Sequence, residues 1–311
     1  MKTVRPAILL WLPMAMLSAL LLGTASHASF VAPIAGGDQA ASPVEASFYT
    51  ADTHKRKTYK VLQAAQTIEL GDNPLRFVDV PTIELTHRKT GANGKYRLLA
   101  DEEGLYISGI VDDKRLNSHY REKLWKDDSI ELMFDIANNR GRELGEDDYK
   151  FFVNLVNIQR TSKAGDAAWE GEFASHVQYD GTLNNNRDAD EGYVVEAKIP
   201  WGAFGLGAKP DAGTAFGFEL GLNDSIAKDK YRWYRQRFWS NADGGSPNNP
   251  NGWGSLIFSE DVIDITPQLT FEQSNTEVYP GGDVKLTWAS LRTGYCVASG
   301  DWEGEMPLKG M

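Results

Sequence analysis

Two kinds of residue in this chain could do chemistry: aromatic side chains set beside carboxylates, and clustered carboxylates alone. The stretch LWKDDSIELMFD (125 is its tryptophan) puts Trp125 six positions before Glu131, with Asp127 and Asp128 between them. Ile130, Leu132, Phe134 and Ile136 alternate with Ser129, Glu131, Met133 and Asp135. A strand turns these two sets to opposite faces. A flat aromatic ring and a held acceptor on the polar face are the two devices that bind a polyhydroxylated ring, by stacking on its C–H face and by hydrogen bonding its hydroxyls. The same pattern also fits an edge tryptophan covering the core and a solvated glutamate. Asp128 and Glu131 lie three apart on a strand, so they face opposite sides and do not form one acid–base pair. Asp112 and Asp113, Asp127 and Asp128, and Glu146 to Asp148 offer oxygen donors of the kind calcium takes. Solvated acidic loops would read the same way.

Other strands share this alternation. In AFGFELGLND, Phe216, Phe218, Leu220 and Leu222 oppose Gly217, Glu219, Gly221 and Asn223, and the glycines are expected to leave open surface. In YKFFVNLVN, Phe152 and Asn154 oppose Phe151, Val153 and Leu155. The apolar rows, Ile130 to Phe134 and Phe216 to Leu222, are the expected core. Met133 on the polar face, with His119 or His176 elsewhere, is the most that a haem-binding reading can claim, and a packing methionine fits as well.

The positioning framework is all β. Short strand-like runs separated by turn clusters (GANG, GEDD, NNNRDADEG, NADGGSPNNPNG) predict an antiparallel two-sheet β-sandwich of jelly-roll or immunoglobulin-like type. Pro200 followed by WGAF predicts one helical turn. The chain has 311 residues and a net charge of −11, and no basic stripe, which argues against a nucleic-acid partner. Residues 1–28 carry Lys2 and Arg5, then ILLWLPMAMLSALLLG, then small residues to Ala28: the order of a secretory signal peptide, with an apolar run shorter than the roughly 20 residues that span a bilayer. The expected protein is secreted or periplasmic, with no membrane attachment after cleavage. Residues 29–48 read as a linker and 49–263 as the sandwich. Cys296 is the single cysteine, so no disulfide, cysteine zinc site or c-type haem motif is expected. No cofactor is expected other than structural calcium.

Taken in order, LYISGIVDD, LWKDDSIELMFD, YKFFVNLVN, GYVVEAKIPW, FGFELGLND and WGSL resemble successive blocks of a family-9 carbohydrate-binding module over about residues 60–260. The resemblance implies a sugar-binding, non-catalytic β-sandwich serving polysaccharide recognition or breakdown, associated with glycoside hydrolases and bearing structural calcium. Its partner would be an oligosaccharide or polysaccharide. The family's opening Trp and closing Glu fall on Trp125 and Glu131. Its arginine falls on Phe152 and its strand glutamine on Gly221, with Asn223 and Asp224 retained. Its second stacking Trp is missing from NADGGSPNNPNG, which Trp239 and Trp253 flank. The implied sugar contacts are Trp125, Glu131, Phe152, Asn154, Asn223 and Trp239, and the implied metal donors Asp112, Asp113, Asp127 and Asp128. A scaffold domain that has lost sugar binding is the main alternative, with a glycosidase behind it. The tail VKLTWASLRTGYCVASGDWEGEMPLKG resembles the opening of a bacterial immunoglobulin-like repeat, so residues 266–311 are expected to be an incomplete domain of two or three strands in a longer chain.

Overall fold

The computed structural model describes residues 56–71, 79–86, 91–228, 231–240, 247–274, 283–292, 296–298, 304–306 and 309–310. The signal-peptide and linker readings lie outside them. In chain order the strands are β1 (Thr58–Ala64), β2 (Ile83–Thr86), β3 (Asn93–Ala100), β4 (Gly104–Asp112), β5 (Ser129–Asp135), β6 (Asp148–Asn154), β7 (Gln159–Lys163), β8 (Ala174–Asp180), β9 (Gly192–Pro200), β10 (Ala215–Lys228), β11 (Tyr231–Phe238) and β12 (Gly254–Ile263). Five short strands follow: β13 (Gln268–Gln273), β14 (Leu286–Leu291), β15 (Cys296–Ala298), β16 (Gly304–Met306) and β17 (Lys309–Gly310). The all-β expectation holds. Among the described residues no helix is long and apolar enough to cross a membrane.

The first twelve strands form one hydrogen-bonded sheet in the order β7-β6-β5-β10-β12-β1-β3-β4-β9-β8, with β11 paired to β10 and β2 to β3. This corrects the picture of two separate antiparallel sheets. Each flank is antiparallel, but β1 joins them by running parallel to both β12 and β3. It pairs with β12 from Thr58 to Val61 and again at Gln63 and Ala64, with an irregular register between, and at Leu62 and Gln63 it also takes up Leu99 and Ala100 of β3. Such an irregularity bends a strand.

Period-two patterning decides which side chains go inside. Ile130, Leu132, Phe134, Phe216, Phe218, Leu220 and Leu222 are all buried in one core with residues from the β3-β4-β9 flank, including Leu98, Ile107 and Val195. β5 and β10 pair Phe134 directly with Phe218 and Leu132 with Leu220, so the two apolar rows coincide. Phe134 packs against Phe204, Phe218 and Phe151 with ring centroids 5.0, 5.2 and 6.0 Å away, the first and last edge-on. Phe204 comes from the expected helical turn, a 3-10 segment at Trp201–Phe204, and Trp201 anchors it through an Nε1 hydrogen bond to the Asp101 carbonyl (3.1 Å).

The tail has more strands than expected. β13, β14 and β17 form one small sheet and β15 and β16 another. From Gln268 onward, Ala298 is the buried residue among those whose burial is described. The half-buried Cys296 lies in β15.

Candidate functional site

The outward face of β5, β6, β7, β10 and β11 carries the polar half of each alternation. Glu131 sits opposite Phe152 on β6 and Gly221 on β10; Phe152 is opposite Arg160 on β7, and Asn223 opposite Gln236 on β11. Trp125 belongs to a 3-10 turn, Leu124–Lys126, ahead of β5. Leu124 is buried, and its carbonyl accepts from the Asp127 N–H (3.0 Å) and the Ser129 hydroxyl (2.7 Å), which fixes the turn against the strand. A cavity of about 400 Å³ opens there, lined among others by Trp125, Glu131, Lys150, Phe152, Arg160, Tyr234, Gln236 and Asn248. Trp125 and Phe152 are half-buried and Tyr234 is exposed, so aromatic surface is available beside polar groups.

Glu131 is buried, and its Oε1 accepts hydrogen bonds from Asn223 Nδ2 (3.0 Å) and Gln236 Nε2 (3.1 Å). Both donors act on Oε1, which leaves Oε2 for a ligand hydroxyl. Burial raises the Glu131 carboxyl above its usual range, against the pull of Asn223, Lys150 and Gln236. Lys150 is 7% exposed, and burial lowers its ammonium, against the fields of Glu131 and Asp148. Its Nζ donates to Asn248 Oδ1.

Of the residues expected from sequence, Trp125, Glu131 and Phe152 meet in this cavity. Asn223 stands behind it, donating to Glu131 and to Ser129 Oγ (3.0 Å). Asn154 is buried beneath the strand ends, bonded to Asp127 Oδ2 and Ser118 Oγ (both 3.1 Å). Trp239 is in the core against Phe218, with ring centroids 5.8 Å apart. Neither Asn154 nor Trp239 lines the cavity. The glycines of β10 do not leave open surface either. A Cβ on Gly221 would lie 2.8 Å from Phe238 Cε1, and one on Gly217 would lie 2.8 Å from Asp135 Cβ, so neighbouring side chains already fill those places. Lys150, Arg160, Tyr234, Gln236 and Asn248 were missed. Strand parity groups Lys150 with Phe152 in YKFFVNLVN and Tyr234 with Gln236 in YRWYRQRFWS, but it does not bring the two strands together.

The carboxylates sort differently from their spacing. Asp112 is exposed and pairs with Lys114 (3.3 Å). Asp127 accepts from the backbone of His119 (2.7 Å) and Tyr120 (3.0 Å), from Ser118 Oγ and from Asn154, so its oxygens hold the loop. Asp113 and Asp128 instead converge with Asp224: three buried carboxylates with oxygens all within 4.8 Å of one another. Burial pushes Asp113 up to about 7 and lifts Asp128 and Asp224, with Asp113 adding to the rise of Asp128. Asp113 Oδ2, Ser225 Oγ and Tyr193 Oη are buried without a hydrogen-bond partner, and Tyr193 feels the field of all three carboxylates. A second group joins Asp135, Asp147 and Asp148 at the β5–β6 turn, where Asp148 Oδ1 is likewise unpartnered. Glu146 is exposed.

The family model described as "Carbohydrate family 9 binding domain-like" matches residues 75–261. The chain belongs to this family. Among curated proteins it is similar to endo-1,4-beta-xylanase A of Thermotoga neapolitana, 29% identical over 184 residues, 59% of this chain and 16% of that protein. It is also similar to endo-1,4-beta-xylanase C of Paenibacillus barcinonensis, 29% identical over 208 residues, 65% of this chain and 17% of that protein. The match thus spans about a sixth of these relatives' length. Among solved structures it is similar to a family 9 module from Caldicellulosiruptor kristjanssonii in complex with cellotriose, at 25% identity and a TM-score of 0.48, covering 66% of this chain and 94% of that one. Trp125 and Glu131, on which the sequence resemblance places the family's Trp and Glu, both line the cavity, together with Gln236 of β11 and with Lys150, two positions before Phe152 on β6.

Proposed function

We propose that this chain is an exported, non-catalytic module that binds one or two rings of an oligosaccharide or polysaccharide chain in the cavity at Trp125 and Glu131. One observation carries the reading: aromatic surface from Trp125, Phe152 and Tyr234 converges with Glu131, Lys150 and Gln236 in a single cavity of about 400 Å³, a size suited to a small ligand. A sugar ring would stack on Trp125, Glu131 Oε2 would accept hydroxyl hydrogens, and Lys150 and Gln236 would donate. Export is supported by the order of charged, apolar and small residues up to Ala28. Service to a polysaccharide-degrading partner in a longer chain is supported by the xylanase relatives, and the tail beyond Thr266 would begin a further immunoglobulin-like domain. Calorimetric titration of the full chain with cello- and xylo-oligosaccharides, repeated with Trp125→Ala and Glu131→Ala, tests the site. Binding that both substitutions abolish supports it. Equal binding by all three proteins would move the site elsewhere, and no binding by the wild type would favour the scaffold reading.

Structural calcium is the second part of the proposal, at Asp113, Asp128 and Asp224 rather than at Asp112 and Asp127. All the available donors there are oxygens, as a hard cation requires. Three carboxylates packed together repel one another, the fields of Arg235 and Arg115 falling on Asp224, and the unpartnered Asp113 Oδ2 and Ser225 Oγ are oxygen donors a cation would use. The Asp135, Asp147 and Asp148 group would hold a second ion by the same chemistry. Calcium would stabilise the loops behind the sugar site and take no part in a reaction.

A further inference from the structure

We infer that the cavity prefers a saccharide bearing a carboxylate, received between Lys150 and Arg160; this rests on the sugar-binding reading of the site. Lys150 is opposite Ser162 on β7 and Phe152 is opposite Arg160, so the two cations are diagonal neighbours on one sheet face. Diagonal neighbours stand about 7–8 Å apart, which leaves a gap that one carboxylate can bridge. Both side chains line the cavity.

Neither cation has a carboxylate within the 4.0 Å of an ion pair among the described residues. Lys150 Nζ has three donors and gives one of them to Asn248 Oδ1. Arg160 gives Nη1 to the neighbouring Gln159 carbonyl at 2.9 Å. Glu131 lies close enough to act on Lys150 through space, but its Oε1 is taken by Asn223 and Gln236. A neutral sugar hydroxyl would accept one hydrogen bond from Lys150 but bring no charge between the two cations; Glu131 and Asp148 act only through space on the Lys150 ammonium. An ionised acceptor both bonds it and balances its charge, and buried charge is tolerated chiefly when paired in that way. The fork of Arg160 suits a carboxylate from the solvent side. Net charge across the whole chain is −11, so an acidic glycan needs a local pair of cations to approach it at all. Trp125 and Phe152 would stack on the ring whose carboxylate points to β6 and β7.

The test compares two disaccharides that differ in one group: cellobiose, and the same disaccharide with glucuronic acid as its non-reducing ring. Both are titrated by calorimetry into the full chain in one calcium-containing, low-salt buffer. The acidic disaccharide should bind about tenfold tighter, as expected from one charge-assisted contact, and added salt should erode that preference while leaving cellobiose unaffected. Lys150→Met should abolish the preference. Arg160→Gln, at an exposed position that folding tolerates, should reduce it. Equal affinities for the two sugars, or a preference that survives both substitutions, would overturn the inference while leaving sugar binding intact. If neither disaccharide nor any neutral oligosaccharide binds, the sugar-binding reading falls and takes this inference with it.

Discussion

Removing divalent cations should make the module less stable at neutral pH than in mild acid, the reverse of ordinary acid denaturation. In the folded chain Asp113 holds its proton up to about 7, because burial opposes its ionisation. Unfolded, it releases that proton near the ordinary 3.8 of an aspartate. Between those values the folded state binds more protons than the unfolded, so stability is full below the lower value and is lost as pH rises through the upper one. At roughly 1.4 kcal/mol per pH unit, ionising Asp113 costs the cation-free fold on the order of 4 kcal/mol. Asp128, Asp224, Glu131 and Glu219 are raised for the same first cause and push in the same direction. Calcium at the proposed site would bind the ionised carboxylates, so at neutral pH it should restore about 2.7 kcal/mol at a hundred times its dissociation constant. Urea unfolding followed by tryptophan fluorescence, on protein stripped of divalent cations, should give a higher midpoint at about pH 5 than at about pH 8, and added calcium should close or invert the gap. A cation-free stability that rises from the lower pH to the higher, with no response to calcium, would refute the cation site and the argument from burial together.

Three further outcomes follow from packing and hydrogen bonding. Gln236→Ala removes the donors at 3.1 Å from Glu131 and 3.0 Å from Asn223, so saccharide affinity measured by calorimetry should drop and folding stability should fall by about 1–3 kcal/mol. Gly221→Gln, which introduces the glutamine that the sequence resemblance implied on β10, places a Cβ 2.8 Å from Phe238 Cε1 and should cost about 1–3 kcal/mol in chemical denaturation. Adding Phe238→Ala in the same chain should recover part of that loss, and a neutral single substitution would show that the ring moves freely. Phe134→Ala empties the centre of three ring contacts and should cost about 3–5 kcal/mol, read as a lower thermal midpoint.

Much of the sheet was legible because half-buried strands write their orientation into the sequence with a period of two. Ile130 to Phe134 and Phe216 to Leu222 showed their burial and, by parity, put Glu131 on the opposite face. What parity cannot show is which strand lies beside which. Gln236 was missed because nothing in YRWYRQRFWS says that it will lie across from Asn223, and Asp224 joins Asp113 and Asp128 only through pairing between distant strands. Nearness in sequence misled in the same way: Asp127 and Asp128 adjoin and both accept from backbone amides, yet Asp128 also faces two carboxylates. Trp239 follows β11 and was expected among the sugar contacts, but it packs on Phe218 and covers the apolar row of β10 there. The joining strand was illegible for a related reason. TYKVLQA has ordinary strand alternation, and its two parallel partners lie far along the chain.

The direction of β1 has a mechanical consequence. Because β1 and β12 run parallel, with Thr58 beside Ser255 and Ala64 beside Ile263, the chain enters this strand pair at one end and leaves it at the other. Gln63 also reaches across to the Ser259 carbonyl, 196 residues further on. Tension applied through residues 56 and 264 would therefore slide the two strands past each other. It would load their hydrogen bonds together instead of peeling them apart one at a time.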